Sequence, residues 1–132
     1  MNSSETRVIH VVDNDKAICA ALAMLLESHG LNVRTHSSAQ SFLDANGAVA
    51  DTDCLVMDLN MPGMNGVELL ERLHELGRWF PVIVITGYPD SVLAGRARQA
   101  GVRAILKKPF NDELLIDHIR EALHVGPSPY PA

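Results

Sequence analysis

Hydrophobic positions along the chain follow two alternating patterns. Val8-Ile9-His10-Val11-Val12, Cys54-Leu55-Val56-Met57, Val82-Ile83-Val84-Ile85 and Ala104-Ile105-Leu106 are short, nearly continuous apolar runs rich in Val and Ile. Such runs suit strands buried on both faces, and therefore a parallel sheet. A weaker run, Leu31 to His36, alternates apolar and polar residues as a half-exposed edge strand does. Segments with helical spacing lie between the runs. Ile18, Leu22, Leu25 and Leu26 share one face, with Gly30 as the stop. Ser37 with Gln40 reads as a capping box for a short helix carrying Phe42 and Leu43, and Asn65 with Glu68 as another for the helix of Leu69, Leu70, Leu73 and Leu76, which Gly77 ends. A fourth helix, about 91 to 100, carries Gly95 in its middle, at a cost of ~1 kcal/mol relative to Ala. Asn111, Asp112 and Glu113 open the last helix, which buries Leu115, Ile119 and Leu123. Five strands alternating with five helices predict a doubly wound α/β fold.

Composition narrows the class. The 132 residues suit one domain, here residues 7–124, between a polar tail (1–6) and a Pro-rich segment (125–132) that reads as a disordered end or the start of a linker. The longest apolar run, Ala17 to Leu26, falls short of the ~20 residues of a membrane span, and the polar N-terminus does not read as a secretory signal. Cys19 and Cys54 lack metal or redox spacing and read as reduced, buried thiols, which with the missing signal predicts a cytoplasmic protein. Sixteen acids against eleven bases argue against nucleic-acid binding, which needs clustered Lys and Arg. The question becomes where the acidic surplus collects.

In open α/β sheets, ligands bind beyond the carboxyl ends of the strands. The residues leaving the buried strands are Asp13-Asn14-Asp15, Asp58, Thr86-Gly87 and Lys107-Lys108-Pro109. Three carboxylates, a hydroxyl and an ammonium are thus expected at one rim, and the carboxylates need compensation by Lys108 and a divalent cation. Oxygen-only ligands favour Mg2+ over zinc or calcium. A carboxylate at the centre of such a site can act as a nucleophile toward phosphorus. Thr86 would donate a hydrogen bond to the product, and Gly87 would leave room for the donor.

These residues resemble the receiver domain of two-component response regulators, of the CheY-like superfamily and especially its FixJ-like branch. Asp58-Leu59-Asn60-Met61-Pro62-Gly63-Met64-Asn65-Gly66 matches D-x-x-M-P-x-x-x-G, Val84-Ile85-Thr86-Gly87 matches the switch-threonine strand end, and Lys107-Lys108-Pro109-Phe110 matches the K-P-F motif. The resemblance runs from about Arg7 to Leu123 and implies a flavodoxin-like five-stranded sheet in the order 2-1-3-4-5. It implies that Asp58 accepts a phosphoryl group from a sensor histidine kinase, without turnover of a free substrate. Mg2+ would be bound by Asp13, Asp58 and the backbone carbonyl of Asn60, with Asn14 or Asp15 as a further candidate. Lys108, Thr86 and Gly87 would contact the phosphoryl group, Asn60, Tyr88 and Ile105 would modulate it, and the Lys108–Pro109 bond is a candidate for the cis form. The face of the fourth helix, fifth strand and fifth helix would control an output domain or regulator, and its fourth-helix and fifth-strand part would pair two copies of the chain. Two departures stand out: Asn14 replaces an acid that is usually a direct metal ligand, and Ile105 replaces a rotating aromatic.

Competing readings attach to the same residues. Asn14 and Ile105 motivate a pseudo-receiver that signals by contact without phosphate. A flavodoxin-like cofactor protein would need a phosphate loop where Asp13-Asn14-Asp15 would repel phosphate. A two-aspartate phosphatase would place its nucleophile after the first strand. Asp13 or Asp15 can also cap the first helix. Lys107 reads as solvated, and Tyr88 equally as a surface aromatic. Met57, Met61 and Met64 read as packing and loop residues, and Trp79 as cover for a core edge. The six histidines, scattered without metal spacing, read as structural or surface residues.

Overall fold

A computed structural model describes residues 7–125. Its strands are β1 (Val8–Val12), β2 (Asn32–His36), β3 (Cys54–Met57), β4 (Val82–Thr86) and β5 (Ala104–Lys107). They form one sheet in the order β2-β1-β3-β4-β5, parallel at every pairing. The helices are α1 (Lys16–Ser28), α2 (Ala39–Asp44), α3 (Gly66–Glu75), α4 (Val92–Gln99) and α5 (Asp112–Val125). This is the doubly wound α/β fold that the alternation predicts.

Period-two alternation sends each central strand into two cores. Val12, Leu55, Met57 and Val84 pack under α2, α3 and α4 with Phe42 and Leu70, while Ile9, Val11, Val56, Ile83 and Ile85 pack under α1 and α5 with Leu22, Leu115 and Ile119. At roughly 1.5–3 kcal/mol for each fully buried aliphatic side chain, this two-sided burial is the main force holding the sheet. The edge strand β2 begins at Asn32 rather than Leu31 and leaves Asn32, Arg34 and Thr35 exposed.

Helix ends follow their local chemistry. Asn65 and Glu68 form the expected reciprocal cap on α3. The cap on α2 is displaced by one residue: Ser38 and Ser41 form the box, so Ser37 and Gln40 do not, and Gln40 instead donates to Asp44 one turn on. Ser38 is the residue with extended backbone (φ −154°, ψ 160°), which a capping position requires. Gly30 (φ 78°) and Gly77 (φ 74°) follow α1 and α3 in the left-handed region. There the N–H groups of Leu31 and Arg78 reach back to the carbonyls of Leu26 and Leu73. Trp79 is half-buried and stacks on the His74 ring at 3.7 Å, and both cysteines are free and buried. Among the described residues, no helix is long and apolar enough to cross a membrane.

Candidate functional site

Because all five strands run the same way, their last residues meet at one rim. Asp13 follows β1 and Asp58 follows β3, side by side, with the Asp58 N–H donating to the Val12 carbonyl at 3.1 Å. Thr86 ends β4, and the Lys108 N–H donates to its carbonyl at 2.9 Å. The Lys108 ammonium therefore arrives between the two carboxylates, 3.1 Å from Asp13 Oδ2 and 3.4 Å from Asp58 Oδ2. The Lys108–Pro109 peptide bond is cis.

Both carboxylates are buried, and each is held at two points. Asp13 Oδ1 accepts the Asp15 N–H at 2.9 Å, and Asp58 Oδ1 accepts the Asn60 N–H at 3.2 Å, leaving each Oδ2 to Lys108. Burial alone would lower the Lys108 pKa. Its hydrogen bond to Asp13 and the charges of Asp58 and Asp13 outweigh that and raise it, so the ammonium stays charged at neutral pH. Thr86 is fully buried, and its Oγ1 accepts from Asn60 Nδ2 at 3.2 Å and from the Tyr88 N–H at 3.1 Å. With both acceptor positions filled, the hydroxyl has one hydrogen left to donate. Asn60 thus touches the Asp58 carboxylate through its backbone and the Thr86 hydroxyl through its side chain.

Two glycines shape the rim. A Cβ on Gly66 would lie 2.7 Å from the Asp58 carbonyl oxygen and 2.9 Å from Leu59 Cδ2, so the first turn of α3 approaches the end of β3 only because this residue has no side chain. Gly87 is exposed, with nothing within 4 Å of where a Cβ would be, so the approach beside Thr86 is open. Tyr88 is exposed, while Ile105 is half-buried against the core under α3 and α4. Lys107 is exposed, Met57 and Met61 are buried, and Met64 packs against the same core.

The expectation of three carboxylates at the rim is corrected to two. Asp15 Oδ1 accepts the N–H groups of Ala17 (2.9 Å) and Ile18 (3.3 Å), capping α1, so its carboxylate is spent on the helix. Asn14 is exposed. Among the described residues, no three His, Cys, Asp or Glu side chains converge as a metal cage. A cation at the rim would rest on two carboxylates supplemented by main-chain oxygen. That hard, oxygen-only set suits Mg2+.

One cluster escaped the sequence reading. His10 is a buried residue of β1, with its Nε2 3.1 Å from Asp53 Oδ2 and its Nδ1 3.0 Å from His36 Nε2. Asp53 also accepts the backbone N–H groups of Val8 and Ala50. With Nε2 donating to the carboxylate, a neutral His10 presents Nδ1 as acceptor, so His36 carries its proton on Nε2. Phe42 packs edge-on against both imidazoles. The signal was a polar residue inside an apolar run, yet its partners lie 26 and 43 residues away.

A family model for the response regulator receiver domain matches residues 9–120. The chain belongs to that family. Among curated proteins, this receiver domain is 45% identical over 119 residues to the transcriptional regulatory protein FixJ of Azorhizobium caulinodans, covering 90% of this chain and 56% of that protein. It is 42% identical over 127 residues to the response regulator protein TmoT of Ectopseudomonas mendocina, covering 96% and 57%. The chain therefore spans little more than half the length of these relatives. Among solved structures, the crystal structure of FixJ-N superposes with a TM-score of 0.84 at 38% identity, covering 94% of this chain and 96% of that one. Full-length FixJ from B. japonicum gives 0.82 at 38% identity, covering 90% and 58%. The receiver domain is thus FixJ-like, with the CheY-like fold of two-component systems, and it is a regulatory module rather than a conventional enzyme.

Proposed function

We propose that this receiver domain, whose last helix runs to Val125 rather than stopping at 124, is a phosphorylation switch with Asp58 as acceptor; the expected Pro-rich tail otherwise lies outside the described residues. The observation that carries this reading is the Lys108 ammonium seated between the buried carboxylates of Asp13 and Asp58, with the Thr86 hydroxyl linked to the same centre through Asn60. In the transfer, a carboxylate oxygen of Asp58 forms the new P–O bond while the bond from phosphorus to the donor imidazole of a histidine kinase breaks. The imidazole leaves with that electron pair. Lys108 offsets negative charge on the phosphoryl oxygens, and Thr86 donates its free hydrogen to one of them. Asp13, Asp58 and the Asn60 carbonyl would hold Mg2+, with the Asn14 amide oxygen as a further candidate, and the cation would supply additional charge compensation. Gly87 leaves the donor room to approach.

Movement of Thr86 toward the phosphoryl group would pull on β4 and the loop to α4, where Tyr88 of the loop and Val92 at the start of α4 are exposed. The output surface would then be α4, β5 and α5 for an output domain or a regulator, with α4 and β5 as the face for a second copy of the chain. Turning a mostly inactive population into a mostly active one takes ~5.5 kcal/mol of differential stabilisation, within reach of a dianion paired with Lys108 and a cation. The test is incubation with acetyl phosphate or phosphoramidate plus Mg2+ under mass spectrometry. The expected result is a gain of one phosphate that Asp58→Asn abolishes; no gain, or a gain that survives the substitution, overturns the reading. The second reading, a contact module without phosphate, draws on Asn14 and on Ile105, whose aliphatic side chain packs into the core; it predicts partner affinity indifferent to phosphodonor.

A further inference from the structure

The three residues after β1 divide their work in a way that leaves the rim short of negative charge. Asp13 faces Lys108. Asp15 is turned outward, since its carboxylate holds the N–H groups of Ala17 and Ile18 at the start of α1. Turning it inward would leave those donors without their cap. Asn14, between them, is exposed and carries a neutral amide. The charges that meet at the rim are therefore two carboxylates against one ammonium, a single net negative charge.

Affinity of an oxygen site for a hard divalent cation rises with its ligand charge. A rim with one net negative charge attracts such a cation weakly, and a phosphoryl group on Asp58 would add about −1.5 to −2. We propose that Asn14 makes divalent-cation binding conditional on phosphorylation: the resting chain holds the cation weakly, and the phosphoryl group supplies the charge that an acid at position 14 would otherwise provide. This inference rests on the phosphoacceptor reading and adds a regulatory consequence to it. By linkage, the cation stabilises the phosphorylated form by the same factor as phosphorylation tightens the cation, so free Mg2+ shifts the equilibrium toward the phosphorylated form. An acid at position 14 would saturate the resting site and remove that dependence.

The experiment titrates the full chain with Mg2+ alone, followed by amide NMR shifts around Asp58, and repeats the titration with beryllofluoride as an acyl-phosphate mimic. Asn14→Asp should tighten Mg2+ binding to the resting chain at least ~fivefold, because a unit charge near the cation is added. Asp15→Asn, which keeps a capping side chain, should leave binding within ~twofold. Beryllofluoride should lower the wild-type Mg2+ midpoint at least ~fivefold. A smaller gain in Asn14→Asp, a larger loss in Asp15→Asn, or an unchanged midpoint with beryllofluoride in a chain that acetyl phosphate does phosphorylate overturns the proposal. Failure to gain phosphate from acetyl phosphate overturns the phosphoacceptor reading instead, so the two failures are separable.

Discussion

Acidification should destabilise this domain through the hydrogen-bonded line of Asp53, His10 and His36. Burial, then the neighbouring charges of His10 and Arg34, push the His36 pKa from 6.5 down to about 4. Burial also lowers His10, against the opposing hydrogen bond and charge of Asp53. Because these folded-state values lie below the unfolded ones, the unfolded chain binds more protons as the pH falls. The stabilisation is complete above pH 6.5 and is lost as the pH drops toward 4. The full gap at His36 corresponds to about 3 kcal/mol. Solvent access to this half-buried ring, and a range stopping at about pH 5, reduce the expected loss to about 1–2 kcal/mol. For a domain of this size that is a fall in Tm of roughly 4–10 °C. The assay is urea and thermal unfolding at about pH 7.5 and about pH 5 for the wild type and His36→Gln. Glutamine can still donate an N–H to His10 Nδ1 but cannot take up a proton, so the variant should lose no more than about half of what the wild type loses. Equal losses in both proteins would refute the account of the cluster.

Two glycine substitutions should move in opposite directions. Gly66→Ala drives a Cβ to 2.7 Å from the Asp58 carbonyl, so a change that elsewhere in a helix gains ~1 kcal/mol should instead cost about 1–3 kcal/mol in urea unfolding. Gly95→Ala meets nothing within 4 Å and should stabilise α4 by about 1 kcal/mol, and a loss there would show that the helix uses the glycine. Asn65→Ala breaks the reciprocal cap with Glu68 and should cost about 1 kcal/mol by the same measurement. Lys108→Met leaves Asp13 and Asp58 facing each other without their shared cation; the expected cost is about 1–3 kcal/mol, with added Mg2+ raising the variant's Tm more than the wild type's.

What could be read from the chain divides along a physical line. The β1, β3 and β4 strands were legible because a strand buried on both faces has no polar face to disguise it; β5, an edge strand with Ala104 and Ile105 half-buried, was legible from its short apolar run, and parallel strands then send Asp13, Asp58, Thr86 and Lys108 to one end without any knowledge of side-chain conformation. Features decided by the rotation of a single side chain were not legible. Ser37 and Ser38 offer the same hydroxyl one residue apart, and only the folded backbone shows that it is Ser38 whose hydroxyl accepts the Ser41 N–H. His10 looks like one interruption in an apolar run, and nothing local announces that Asp53 and His36 lie beside it. Asp15 is the most instructive case. Its position among the strand-end acids argued equally for a place in the site and for a helix cap, and the choice turns on the Ala17 and Ile18 N–H groups, which are present at every helix start whatever the residues are. That choice has a consequence at the rim: with Asp15 spent on α1 and Asn14 neutral, Asp13 and Asp58 carry the site's negative charge against Lys108. A count of the chain's acids would have overstated the rim's attraction for a cation.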